Sequence, residues 1–207
     1  CMGLFSRLFG HSSSTDRTTR NKKISFKKSH VTDFPGELTI LSVATANKNK
    51  GSVCAIGLIY LHPENAFTSV DYICPQSKRF SNSEYNQIYP ETVKDCPKFP
   101  DVLGKVLPYI NGKNICMYSM FHWEAIVRAC EYYKIEIPQP KNILNLYNCS
   151  TQLFNLSSYT MDDVADKLDE DYIRGDIEST NCLNEAIVNY MVQKHSRLIK
   201  PYVDNWL

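Results

Sequence analysis

Ile40-Leu41-Ser42-Val43-Ala44-Thr45-Ala46-Asn47 is a largely apolar stretch that runs straight into turn-forming residues. With Leu38, its Ile40 and Val43 mark a strand. Asn47-Lys48-Asn49-Lys50-Gly51 then supplies turn chemistry, since Asn and Gly accept the backbone conformations that tight turns need. Val53–Leu61 follows as a nearly continuous apolar run, the pattern of a strand covered on both faces. Residues 67–74 read as a third strand, so the chain opens as an antiparallel three-strand unit.

Beyond a loop rich in Ser, Asn, Tyr and Pro, the period changes. Val102, Leu103, Val106 and Leu107 show helical spacing within 101–110, and Asn111-Gly112 stops that helix. Residues 115–118 form a short strand, and 123–133 a helix with Ile126, Val127 and Cys130 inward. Residues 141–147 suggest another strand. Thr160 is a plausible N-cap, with Asp162 and Asp163 in the first turn of a helix through Leu168. A last helix over 178–194 is expected to bury Cys182, Ala186 and Tyr190 beside Leu183, Ile187 and Met191. Strands first, then alternating helices and strands, describe an α/β domain with a mixed sheet.

The chain has 207 residues, 43% hydrophobic and 22% charged, enough for one domain with a full core. No apolar run approaches the roughly 20 residues needed to span a bilayer. Residues 1–30 carry seven Lys/Arg against one Asp, while 31–207 carry 16 Lys/Arg against 21 Asp/Glu. The body is mildly acidic, and its bulk charge does not advertise a nucleic-acid surface. Eight cysteines include no Cys-x-x-Cys pair and no zinc-finger spacing, so reduced thiols in a cytoplasmic protein are expected. No Gly-x-Ser-x-Gly, P-loop or nucleophilic triad occurs.

Three regions are expected: a flexible basic tail over 1–30, a folded domain over 31–196 and a C-terminal tail over 197–207. Leu4, Phe5, Leu8 and Phe9 form a short apolar tip ahead of six basic residues. A solvated tail or a short partner-docking helix is the favoured reading of this tip. The alternative is weak contact of residues 2–28 with an anionic membrane, making the protein membrane-peripheral.

Several segments, in order, resemble the DnaQ-like 3′–5′ exonucleases of the DEDDh type, which include the epsilon subunit of DNA polymerase III. The first strand of that family reads Asp-aromatic-Glu-Thr-Ala-Asn; here Thr45-Ala46-Asn47 remain, but Ser42 and Ala44 stand at the acid positions. Tyr89-Pro90-Glu91-Thr92-Val93 with Pro97-Lys98-Phe99 is similar to the link into the family's first helix. Cys149-Ser150 and Ser158-Tyr159-Thr160-Met161-Asp162-Asp163-Val164-Ala165 are similar to its Cys-Thr … Tyr-x-Leu-x-x-Leu-Ala segment. Cys182 and Ala186 keep the small residues of its last helix. The resemblance spans roughly residues 36–195 and implies an RNase H-like fold.

It also implies where catalysis would sit. The family holds two divalent ions with four carboxylates and uses a histidine as base, because Mg²⁺ is a hard cation that takes oxygen ligands. Carried across, Ser42 and Ala44 replace the first two acids, Trp123 the third and Asn181 the fourth, with Asp176 at the histidine. The second motif is the least anchored, since a shift of one residue would put Glu124 at the acid position. A non-catalytic domain with no cofactor is therefore expected, binding single-stranded nucleic acid or a protein. Thr45, Asn47, Tyr118, His122 and Trp123 are its candidate groove residues. Trp123 beside His122 is the expected surface aromatic, whereas Tyr118 and Phe121 are expected to pack in the core. The alternative is a divergent exonuclease using Mg²⁺ or Mn²⁺ on relocated acids, namely Glu124, Asp176 and Glu178, with Asp71 more remote.

Overall fold

The computed structural model describes residues 34–206. The basic tail over 1–30, its apolar tip and the membrane contact expected of 2–28 lie outside them. Strands β1 (Leu38–Thr45), β2 (Val53–Leu61) and β3 (Phe67–Tyr72) pair antiparallel. Strands β4 (Asn114–Met117) and β5 (Asn142–Asn145) add in parallel, giving the order β3-β2-β1-β4-β5. This is the mixed RNase H-like sheet expected from the sequence.

Strand β1 is central because both its faces are apolar. On one face Leu38 and Ile40 join Ile59 and Leu61 in a core closed by Leu183, Ile187 and Met191. On the other, Leu41 and Val43 join Ile56 and Leu58 against Phe99, Val102, Ala125 and Ile126. Side chains of a strand alternate between faces, so Ser42 and Ala44 continue the first face toward the strand's end.

Helices cover both faces. Short turns α1 (Ser83–Asn86) and α2 (Pro90–Val93) precede α3 (Phe99–Val106), which continues as a 3₁₀ turn over Leu107–Tyr109. Then come α4 (Phe121–Tyr133), α5 (Leu146–Leu153), α6 (Met161–Leu168), α7 (Ile177–Lys194) and α8 (Ser196–Ile199). Helix α6 starts as expected: Thr160 accepts from the Asp163 N–H and Asp163 accepts from that of Thr160, a reciprocal cap. Among the described residues, no helix is long and apolar enough to cross a membrane. The seven described cysteines are unpaired, and four of them, Cys54, Cys116, Cys130 and Cys149, are buried as small hydrophobes.

Three expectations need correction. Turns α1 and α2 and helix α5 lie where no helix was expected; Asn145 caps α5 by accepting from the Asn148 N–H. Helix α7 buries Leu183, Ile187 and Met191 as expected, but Cys182, Ala186 and Tyr190 are only half-buried, while Ser179, Thr180, Asn181 and Asn184 are buried. Nor does the packed body end at 196. Ile199 and Val203 are buried, and Asp204 forms an antiparallel bridge with Glu37 through backbone bonds of 2.8 and 3.1 Å. The Glu37 carboxylate also accepts from Tyr60 Oη (2.9 Å), Lys113 Nζ (3.1 Å) and Asn205 Nδ2 (2.9 Å). Those donors, led by Lys113, hold its pKa below the ordinary carboxylate value.

Candidate functional site

Strand β4 pairs with β1 only at Thr39 and Ile40, so the β4-side edge of β1 is open toward its C-terminal end. There the chain leaves β4, passes Tyr118 and Ser119, and begins α4. His122 in the first turn of α4 fills the open edge: its Nδ1 accepts from the Val43 N–H at 3.0 Å. Nδ1 also lies 3.2 Å from Val43 O, and it accepts from the N–H in the tautomer protonated at Nε2. Burial pushes the imidazole pKa down to about 4, so the ring is neutral at pH 7.

A cleft of about 250 Å³ opens beside this contact. Its floor is Ser42, Val43, Ala44 and Thr45, and one wall is Tyr118, Ser119, Phe121 and His122. Ile177 and Thr180 of α7, with Met161, Tyr172 and Gly175, form a second wall, and Asn82, Tyr85 and Asn86 a third. Tyr85 and Phe121 are 56% and 37% exposed, which leaves aromatic faces at the mouth.

Behind the floor, α7 lies close to the sheet because β2 offers no side chain there. Gly57 pairs with Ser42, and a Cβ on Gly57 would come within 2.7 Å of Asn181 Nδ2 and 3.0 Å of Ile177 Cγ1. Asn184 Nδ2 reaches Ser42 Oγ at 3.4 Å. Asn181 is 2% exposed, and neither of its side-chain polar atoms has a partner among the described residues. The interface between β1, β2 and α7 is thus polar but uncharged at Ser42, Asn181 and Asn184.

The wall built by Asn82, Tyr85 and Asn86 was not expected from the sequence. Asn82 Nδ2 donates to Thr45 O (3.1 Å) and Asn86 Nδ2 to the same oxygen (3.0 Å), strapping α1 to the end of β1. Gly175 closes this wall against the second: its φ is +81°, and a Cβ there would lie 2.1 Å from Tyr85 O. The only sequence signal was the density of amides and aromatics over 80–89.

Of the expected groove residues, Thr45, Tyr118 and His122 line the cleft, but Asn47 and Trp123 do not. Asn47 instead ties two loops together, donating to Ser77 Oγ (2.8 Å) and Arg79 O (2.7 Å). Trp123 is half-buried against the α3–α4 core, and Phe121 takes the exposed place, the reverse of the expected assignment. Tyr118 is buried as expected, its hydroxyl donating to Tyr159 O at 2.6 Å. The cleft position expected for Trp123 therefore belongs to His122. At the third motif the cleft is lined by Gly175 and Thr180, one residue before the expected Asp176 and Asn181.

The relocated acids do not converge. Glu124 is paired with Lys50 on the surface, Asp176 accepts from the Ser179 N–H at 2.7 Å as the cap of α7, and Glu178 is exposed in that helix's first turn. The more remote Asp71 sits on β3, 3.5 Å from Lys105 Nζ. None of the four lines the cleft, and no group of three or more His, Cys, Asp or Glu with metal-holding geometry occurs among the described residues. The side chains present do not suit the two divalent ions that the resemblance implies. Hydroxyls, amides and a neutral imidazole offer no anionic oxygen to hard cations.

Compared by sequence, the chain matches no family model and no curated protein. Solved structures do match. A 3′-exonuclease described in 3′-end-specific recognition of a histone mRNA stem-loop superposes with TM-score 0.67 and 15% identity over 78% of this chain and 65% of its own. Exonuclease X in complex with 5′ overhanging duplex DNA gives TM-score 0.58 and 10% identity over 82% and 99%. Exonuclease I of E. coli in complex with an oligonucleotide gives TM-score 0.61 and 12% identity over 81% and 43%. The chain thus spans less than two thirds of the first and under half of the last. The fold is that of the DnaQ-like 3′–5′ exonucleases.

Proposed function

We propose that this chain is a non-catalytic exonuclease-fold domain that holds single-stranded nucleic acid in the cleft at the end of β1 without cutting it. One observation carries the reading: the cleft lining contains no carboxylate. Phosphodiester hydrolysis with two divalent ions needs anionic oxygens to seat them. Here Asp163 and Asp176 cap helices, and Glu124 is bound by Lys50.

What remains suits binding. The exposed rings of Tyr85 and Phe121 offer faces on which bases stack, an interaction indifferent to sequence. An uncharged lining adds no repulsion toward phosphate. The fold's neighbours are described with both RNA and DNA, which supports the ligand class without choosing between them.

The test is anisotropy of labelled oligothymidylate and oligouridylate with the full chain, in EDTA and in Mn²⁺, followed by a denaturing gel. Equal affinity under both conditions with uncut strands is expected. Metal-dependent shortening that Glu124→Ala or Asp176→Ala abolishes would overturn the reading, and absence of binding in both conditions would remove its nucleic-acid part in favour of a protein partner.

A further inference from the structure

The acidic character of the body is not uniform. Residues 46–52 and 74–83 carry Lys48, Lys50, Lys78 and Arg79 and not one Asp or Glu. These segments are fastened together and to the cleft. Asn47 bonds Ser77 and Arg79 as described, and Gln76 Nε2 donates to Gly51 O at 2.5 Å. The Asn82 N–H donates to Ala46 O at 3.1 Å. The cations therefore stand on one rigid shelf that continues the Asn82–Asn86 wall.

They are not all spent on the fold. Lys50 is paired with Glu124 and lies 5.9 Å from the Phe121 ring centroid. Lys48, Lys78 and Arg79 are exposed and have no ion-pair partner among the described residues. Three free cations beside a cleft whose lining carries no charged side chain make a local positive field on a mildly acidic protein, with exposed Glu84 on the adjoining α1 as an opposing charge. Such a surface selects a polyanion and steers it to that side.

We propose that Lys48, Lys78 and Arg79 form a phosphate-binding shelf that tracks the backbone of single-stranded nucleic acid beside the cleft. This rests on the binding reading above and adds its charged half: aromatic faces take bases, and the shelf takes phosphates. Each neutralised phosphate releases counterions, so the shelf has a signature in salt that stacking lacks.

The experiment is anisotropy of labelled oligothymidylate against salt, with the full chain and three variants. In Lys48→Ala/Lys78→Ala/Arg79→Ala, the slope of log affinity against log salt falls by about 2, three contacts at about 0.7 each on a single strand. Tyr85→Ala/Phe121→Ala weakens binding at unchanged slope. Lys134→Ala/Lys167→Ala/Lys194→Ala removes the same charge at the far ends of α4, α6 and α7 and leaves both affinity and slope as in the parent. Parent-like slope in the shelf variant, with the parent chain binding, overturns the shelf and spares the cleft reading. An equal loss in the far-end variant overturns the shelf in favour of diffuse charge. No binding by the parent chain overturns both.

Discussion

The imidazole of His122 completes the hydrogen bonding of β1, and this couples stability to pH. Its pKa is near 4 in the folded chain, whereas an exposed imidazole titrates near about 6.5. As pH falls, the unfolded chain takes the proton first. Stability is therefore fully present above about 6.5, declines between about 6.5 and about 4, and loses up to about 3 kcal/mol. Urea unfolding at pH 7.5 and 4.5 should show this decline, and His122→Ala should show a smaller one with lower stability at both. Asn181 gives a second expectation at this scale. Its polar atoms have no partner among the described residues, so Asn181→Leu should stay within about 1 kcal/mol of the parent. Asn181→Asp, which buries a charge, should cost at least about 2 kcal/mol at pH 7 by the same measurement. The site was partly legible in the sequence. That Ser42 and Ala44 would share a face could be read because the side chains of a strand alternate, and both line the cleft. Which residues of the later motifs line the cleft was not legible, because a helix turns about 100° per residue and neighbours such as His122 and Trp123 face different ways.

At the level of elements, the acids at helix starts serve the helices. Asp176→Ala should cost about 1 kcal/mol through loss of the α7 cap, and Thr160→Ala a similar amount through α6. Thermal unfolding would read both. Neither change should alter whether an oligonucleotide is shortened; a role for Asp176 in chemistry would break that separation. The three antiparallel strands were legible because alternating or continuous apolar runs met strong turn residues at Asn47–Gly51. Turns α1 and α2 were not, since four residues are too few to show a helical period. Helix α7 was found, and its inner face was read in part. Leu183, Ile187 and Met191 pack on β1 and β2 as their spacing indicated, but the same buried face also carries Ser179, Thr180, Asn181 and Asn184, which apolar spacing does not register.

For the molecule as a whole, residues 196–206 belong to the packed body. Deleting residues 200–207 removes buried Val203 and both backbone bonds to Glu37. It should cost at least about 3 kcal/mol, seen as an earlier urea midpoint. Glu37→Ala should lose about 2 kcal/mol or more, because Tyr60, Lys113 and Asn205 lose their shared acceptor. The Glu37 contribution is fully present above the ordinary carboxylate pKa and is lost as pH falls through the depressed one. The clasp of Glu37 on Asp204 also fixes how the domain can be presented. It sits where β1 begins, while the cleft sits where β1 ends, roughly 25 Å further along an eight-residue strand. Whatever holds the chain ahead of Phe34 grips it at one pole, and the mouth bearing Tyr85 and Phe121 then looks outward from the other. A fusion partner or an immobilising surface joined at Phe34 would therefore attach at the end of β1 opposite the cleft.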